Sequence, residues 1–164
     1  MDIIHEATNR GGRLAVQTCF MCMFAPNFTD QDGLRTLFST DVGLRREVEV
    51  RHRLRERFWH QWWDVGPKYV ELPGTGPRVQ GEHVLTRSRD GQWLVSIASL
   101  SGPPDFLFHN REYSCIHCNP VVRGGARGET TRVRQRVYLL RGTPEDLVRR
   151  YERDRKGQDG EGGK

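Results

Sequence analysis

The sequence predicts an all-β fold, an antiparallel β-sandwich closed by one C-terminal α-helix, and three observations carry that expectation. Short extended segments alternate with turn residues along most of the 164 residues. Asp90-Gly91 stands between two strand-like runs, and glycine there supplies the positive φ that a tight hairpin requires. Beyond Gly142 the pattern changes once, to an amphipathic helix with its own start signal.

Taken in order, Met1–Ala7 reads as a strand, and Asn9-Arg10-Gly11-Gly12 as the turn that ends it. Leu14–Phe24 is too apolar for a strand with one wet face and predicts a central strand covered on both sides. Ala25-Pro26-Asn27 ends it, because proline breaks a central ladder. Within Leu44–Arg57, Val48, Val50, Leu54 and Phe58 fit either a helical stripe or two strand pieces. The alternation of Val48–Leu54 favours strand. Gly66-Pro67 and Pro73–Pro77 are loops.

Glu82–Arg87 and Gln92–Ala98 flank the Asp-Gly turn, and Phe106–Phe108, Tyr113–His117 and Thr131–Leu140 are further strands. In the last, Val133, Val137 and Leu139 share one face while Arg132, Arg134 and Arg136 share the other. Thr143 caps a helix of about 143–155, with Pro144 at its first position and Glu145 and Asp146 at the positive end of its dipole. Leu147, Val148 and Tyr151 form its buried stripe. Residues 1–156 are expected to form a single sandwich domain, and the glycine-rich stretch 157–164 a disordered tail.

Composition narrows the function classes. The apolar share is 35% and the longest run without a polar residue, Cys19–Pro26, is far short of a membrane span. No secretory signal opens the chain, so the cytoplasm is the default expectation. The net charge of +5 favours acidic partners only weakly. The arginines of Arg45–Arg57 and Arg132–Arg136 lie among acids or on a solvated strand face, without interleaved aromatics. No nucleic-acid partner is expected. P-loop, GxSxG, HExxH and dinucleotide fingerprints are all missing from the sequence.

Three groups can carry chemistry. Cys19, Cys22, Cys115 and Cys118 form two CxxC pairs, and four thiolates can close a tetrahedral zinc site. Residues three apart on an extended strand point to opposite faces, however, so the default is free core thiols and no cofactor, with zinc as the alternative. The segment Phe58–Asp64 gathers Trp59, Trp62 and Trp63 with His60, Gln61 and Asp64. Indole faces pack on sugar rings while the polar neighbours hydrogen-bond hydroxyls; the same composition also suits a core cluster with one polar edge. His109, Asn110, Glu112, His117 and Asn119 form the third group. A histidine beside a carboxylate performs acid/base chemistry near neutral pH, and strand-end residues satisfied by backbone are the alternative.

The order of several segments resembles the latter half of the aldose 1-epimerase, or galactose mutarotase-like, family. Ile4–Gly12 resembles the family's strand and "N-x-G-D" turn, and Cys22–Phe28 falls at its "H-x-Y-F" strand end. Val95–Asn110 is similar to the strand and "P-G-x-Q-x-Y-T" segment, Ser114–Pro120 to "C-L-E-P-Q", and Gly128-Glu129-Thr130 to the "P-G-E" turn. The resemblance implies a β-supersandwich that binds a hexose in an aromatic-rimmed polar cleft and opens the ring with a histidine and a glutamate.

This sequence departs from the pattern in the places where that chemistry resides. Ala25–Phe28 contains no histidine, and His117 stands near the position of the glutamate base. The family fold also includes an earlier half absent from these residues, which implies either a part of a longer protein or a reduced architecture. The helix after the last strand resembles bacterial sandwich proteins rather than a working mutarotase.

The expectation is a carbohydrate-binding domain without epimerase activity. In it Trp59, Trp62 and Trp63 stack on sugar, and His60, Asp64, His109, Asn110 and His117 hydrogen-bond it. One alternative is a sugar-modifying enzyme with His117 or His109 as base and Asp64 or Glu112 as its partner. Another is a zinc-stabilised interaction module. Exposed apolar sheet edges also leave self-association, or pairing with a missing N-terminal half, open.

Overall fold

In the computed structural model the described residues are 1–11, 20–22, 26–50, 52–54, 69–71, 77, 79–104, 106–110, 114–120 and 126–159. Six strands form the large sheet: β1 (Asp2–Thr8), β3 (Thr36–Thr40), β4 (Gly43–Arg46), β7 (Val79–Arg87), β8 (Trp93–Ser99) and β11 (Thr130–Arg141). Their order is β1-β11-β8-β7-β3-β4, and every neighbouring pair is antiparallel. A small antiparallel sheet has the order β2-β10-β9, from β2 (Phe20–Cys22), β10 (Cys115–Asn119) and β9 (Phe106–Asn110). β5 (His52–Leu54) and β6 (Tyr69–Glu71) pair as a hairpin whose connection, residues 55–68, contains the tryptophan-rich segment.

The all-β class with one helix is what the sequence predicts, and the periodicity of two explains the layering. Val84 and Leu85 are consecutive on β7, so their side chains leave opposite faces of the large sheet. Val84 joins Phe38, Val95 and Ile97 against Leu107, Ile116 and Cys118 of the small sheet. Leu85 joins Leu94, Ala98 and Tyr138 against Leu147 and Tyr151 of helix α1 (Pro144–Asp159). The large sheet is therefore the middle layer, with the small sheet on one face and the helix on the other.

Local chemistry fixes the connections. Gly91 has φ +71 in the β7–β8 hairpin, as the Asp-Gly turn requires. Gly81 has φ +146 opposite a register shift between Phe38 and Thr40, and a Cβ there would lie 2.3 Å from Ser39 Oγ. Glycine lets β7 approach Ser39, whose hydroxyl donates to the His83 carbonyl at 2.8 Å. Thr143 and Asp146 cap the helix reciprocally: Asp146 Oδ2 accepts from Thr143 N at 2.8 Å and Thr143 Oγ1 from Asp146 N at 3.3 Å.

Several boundaries differ from the sequence expectation. The helix continues through Gly157 to Asp159, so those positions are not a disordered tail. Val48 lies in a 3-10 turn, Glu47–Glu49, and the predicted strand begins only at His52. Within Leu14–Phe24 the described strand β2 is at the margin of its sheet among the described strands, not at the centre. β3, β4 and β6 are strands that the hydrophobic pattern did not announce. Val133 and Val137 face inward as expected, while Leu139, on the same face, is 63% exposed.

The arginine stripe of β11 is neutralised across the strands. Asp2, Ile4 and Glu6 stand opposite Arg136, Arg134 and Arg132. Asp2 accepts from Arg134 and Arg136, Glu6 pairs with Arg132, and Asp154 of the helix lies 2.7 Å from Arg136. The hydrogen bond from Arg136 foremost holds the Asp2 carboxyl far below the usual carboxylate range. No helix is long and apolar enough to cross a membrane among the described residues.

Candidate functional site

The site begins where β4, the last strand of the large sheet, runs into the 3-10 turn. Glu49 bonds back to the Arg46 backbone N–H at 2.8 Å and fixes the turn, which sets Glu47 facing the small sheet. His109, on β9, pairs in register with Ile116 of β10 and shares its inward face. Glu47 Oε2 and His109 Nδ1 then meet at 2.7 Å. The imidazole is fully buried, whereas the Glu47 side chain is 16% exposed, so the carboxylate is the solvent-facing end of the pair.

A carboxylate only accepts, so the Nδ1 proton is directed at Glu47 and the tautomer is set. His109 Nε2 is buried and has no hydrogen-bond partner among the described residues. Leaving a buried imidazole nitrogen unsatisfied costs about 1–3 kcal/mol, an outlay common where a ligand group completes the bonding.

Asp30 extends the polar cluster. Its buried carboxylate accepts from Thr36 Oγ1 at 2.6 Å and from the Arg35 backbone at 3.1 Å, and its own N–H donates to Ser114 Oγ at 3.1 Å. Burial raises the Asp30 pKa, but the hydrogen bonds led by Thr36, together with the charge of His109, outweigh it and hold the carboxyl below its ordinary value. Ser114 has φ +48, a left-handed conformation rare for serine, at the entry to β10.

His117 is one step out of phase with His109 and leaves the opposite face of the small sheet. Its ring lies 4.8 Å from Phe108, and burial, reinforced by the charge of His109, pushes its pKa down to about 4. A histidine so desolvated is neutral near pH 7 and a weak base. The two histidines singled out in the sequence are thus neighbours in adjacent strands but not partners in one cleft.

Trp59, His60, Trp62, Trp63 and Asp64 lie outside the described residues, as do Glu112 and Cys19. Asn110 ends β9, and only its backbone is described. Trp93 carries a different load: the Arg141 guanidinium sits 4.8 Å from its ring centroid. Glu47, Asp30 and Ser114 were missed by the sequence reading. The only local hint of Glu47 was its place in a run of mixed charge.

The cysteines divide. Cys118 is a buried free thiol that donates to the Glu82 carbonyl at 3.6 Å, as a core cysteine is expected to do. Cys115 is disulfide-bonded, which corrects the expectation of a free thiol there. In β2 the residue opposite it is Cys22. Cys115 and Cys118 leave opposite faces of β10, whereas a zinc knuckle needs both thiolates turned to one metal. Among the described residues no group of histidine, cysteine and carboxylate side chains is arranged to hold a metal.

No family model, curated protein or solved structure matches this chain.

Proposed function

We propose that this chain is a carbohydrate-binding β-sandwich domain of the galactose mutarotase-like type, without epimerase activity, whose polar site is centred on Glu47 and His109. The observation that carries the reading is the Glu47–His109 pair: a partly exposed carboxylate braced by a buried imidazole whose second nitrogen has no hydrogen-bond partner among the described residues. Sugar hydroxyls donate and accept at once, so they satisfy both kinds of group. The aromatic segment 58–64 follows the Glu47 turn in the chain and would supply the stacking faces. Epimerase chemistry is left out because Ala25–Phe28 offers no histidine and His117 occupies the place where the resemblance expects a glutamate.

The test is a panel of neutral and acidic oligosaccharides scored by tryptophan fluorescence and melting temperature, in a Trp93→Phe background that removes the indole bound to Arg141. The reading expects quenching and a higher Tm with at least one glycan class, both lost in Glu47→Gln and His109→Gln. A folded protein that responds to no glycan overturns it.

The unpartnered Nε2 also favours a second reading, a sugar-modifying enzyme in which His109 is the base and Glu47 its orienting carboxylate. Glycans found by the panel should then be turned over, and His109→Gln should abolish turnover with binding of product retained. Turnover that survives this change removes His109 from the role.

A further inference from the structure

We infer that a cavity at the helix-side face of the large sheet, at the Arg46 end of β4, receives an acidic substituent of the saccharide, a carboxylate or a sulfate ester, on the guanidinium groups of Arg87 and Arg89. The inference rests on the carbohydrate reading and names its ligand class. The cavity, of about 330 Å³, is walled by Arg35, Arg46, Arg87 and Arg89, with Leu37 among its apolar lining and Asp90 as its one carboxylate. That volume is at the small end of ligand sites, enough for a single sugar unit.

The charges in the wall are not equivalent. Arg35 is consumed by structure: it donates to the carbonyls of Asn27, Thr29 and Arg87 and lies 3.7 Å from Asp30. Arg46 is held by Glu49, with Nη2 at 2.7 Å and Nε at 3.2 Å from one oxygen. Asp90 is occupied by Ser88 Oγ, the Gln92 N–H and Asn27 Nδ2, and these hydrogen bonds, that of Ser88 foremost, keep its carboxyl below the ordinary value. Arg87 has only a 3.4 Å contact to the Gly91 carbonyl, and the Arg89 guanidinium has no partner among the described residues. Two cations without an ion-pair partner among the described residues therefore open onto one cavity, against the single charge of Asp90.

Their backbone is held firmly. Arg89 N–H donates to the carbonyl of Asn27 at 2.6 Å and to its Oδ1 at 3.0 Å, while Ser88 N–H donates to the Trp93 carbonyl at 2.8 Å. A guanidinium fork suits two oxygens of one carboxylate or sulfate, and a second guanidinium adds charge without competing for the same lone pairs. Two residues of the cavity wall link it to the polar site through the chain and an ion pair. Arg46 immediately precedes Glu47, and Arg35 is ion-paired to Asp30, whose carboxyl feels the charge of His109.

The experiment titrates the full chain, at about 0.15 M salt so that surface charge is screened, with a uronic-acid oligosaccharide, a sulfated oligosaccharide, the neutral counterpart of each, and a single-stranded DNA of matched charge. We expect at least one acidic glycan to bind about tenfold tighter than its neutral counterpart, as a charge-assisted bidentate contact predicts. Which of the two does so identifies the oxyanion. Arg87→Gln with Arg89→Gln should bring the acidic-to-neutral ratio to within about twofold, whereas Arg149→Gln with Arg153→Gln, which removes the same charge from the helix surface, should leave it.

Equal binding of acidic and neutral glycans, or a ratio unchanged in the Arg87/Arg89 variant, overturns the inference and leaves the carbohydrate reading standing. DNA bound as tightly as the acidic glycan overturns it in favour of a general polyanion surface. No binding of any glycan removes both.

Discussion

Glu47 and His109 are 62 positions apart in sequence and 2.7 Å apart in space, joining the turn after the last strand of the large sheet to the inward face of the small one. The bond fixes a tautomer and a ring orientation as well as a contact, because Glu47 can only accept. Glu47→Gln keeps the shape but removes the charge, and should destabilise the fold by about 1–3 kcal/mol. Urea unfolding measures the loss, and long-range ¹⁵N spectra of His109 should show the Nδ1 proton shift with it. Unchanged stability and an unchanged tautomer would mean that the pair does not form.

Stability should fall in mild acid, and two histidines give the sign. Burial holds the pKa of His83 at about 4 and that of His117 at about 4, against an ordinary 6.5. Between those values the unfolded chain binds protons that the folded chain refuses, so stability is complete above about pH 6.5 and is lost as pH falls toward 4. The two ring nitrogens of His83 have no hydrogen-bond partner among the described residues, and its ring packs 5.0 Å from Tyr151. Each histidine can contribute up to roughly 3 kcal/mol. Urea midpoints at about pH 7.5, 5.5 and 4.5 should decline in wild type and decline less in His83→Leu. Asp2 and Asp30, whose pKa values are lowered, act in the same direction at lower pH and lose their contribution as pH falls below 3.8.

Helix α1 should behave as part of the core. Leu147 is fully buried, and the Tyr151 hydroxyl lies within hydrogen-bond reach of two acceptors, Glu82 Oε2 at 2.8 Å and the Ser99 carbonyl at 3.1 Å. Leu147→Ala should cost about 2–5 kcal/mol and Tyr151→Phe about 1–2 kcal/mol, read from urea unfolding. Losses confined to helix signals in circular dichroism, with the sheets intact, would contradict a shared core.

Peptide mapping without reduction should find Cys115 linked to the peptide bearing Cys22, the residue opposite it in the register, and Cys118 alkylated only after unfolding. Cys115→Ser should cost about 2–5 kcal/mol. A Cys115 that alkylates in the native protein would contradict the assignment.

The elements legible in the sequence are those whose signals are local. The Asp-Gly hairpin, the Thr143 cap and the alternation along β11 each lie within a few residues. β3 was hidden because Thr36, Ser39 and Thr40 are polar yet buried, satisfied by Asp30, the His83 carbonyl and the Gly43 carbonyl. Polar side chains that bond across the fold erase the hydrophobic alternation that marks a strand. The site was half legible for the same reason. His109 was visible as one of a polar group, but its partner was sought in Asp64 or Glu112, and Glu47 sits in a 3-10 turn where the alternation of Val48–Leu54 suggested a strand.

The most direct test follows the His109 ring nitrogens by ¹⁵N NMR while a glycan that raises the Tm is titrated to saturation. The account predicts that the Nε2 resonance shifts as it gains a hydrogen-bond partner, while Nδ1 keeps its bond to Glu47. Saturation with both nitrogens unmoved would contradict it, since the glycan would then be bound somewhere other than the Glu47–His109 site.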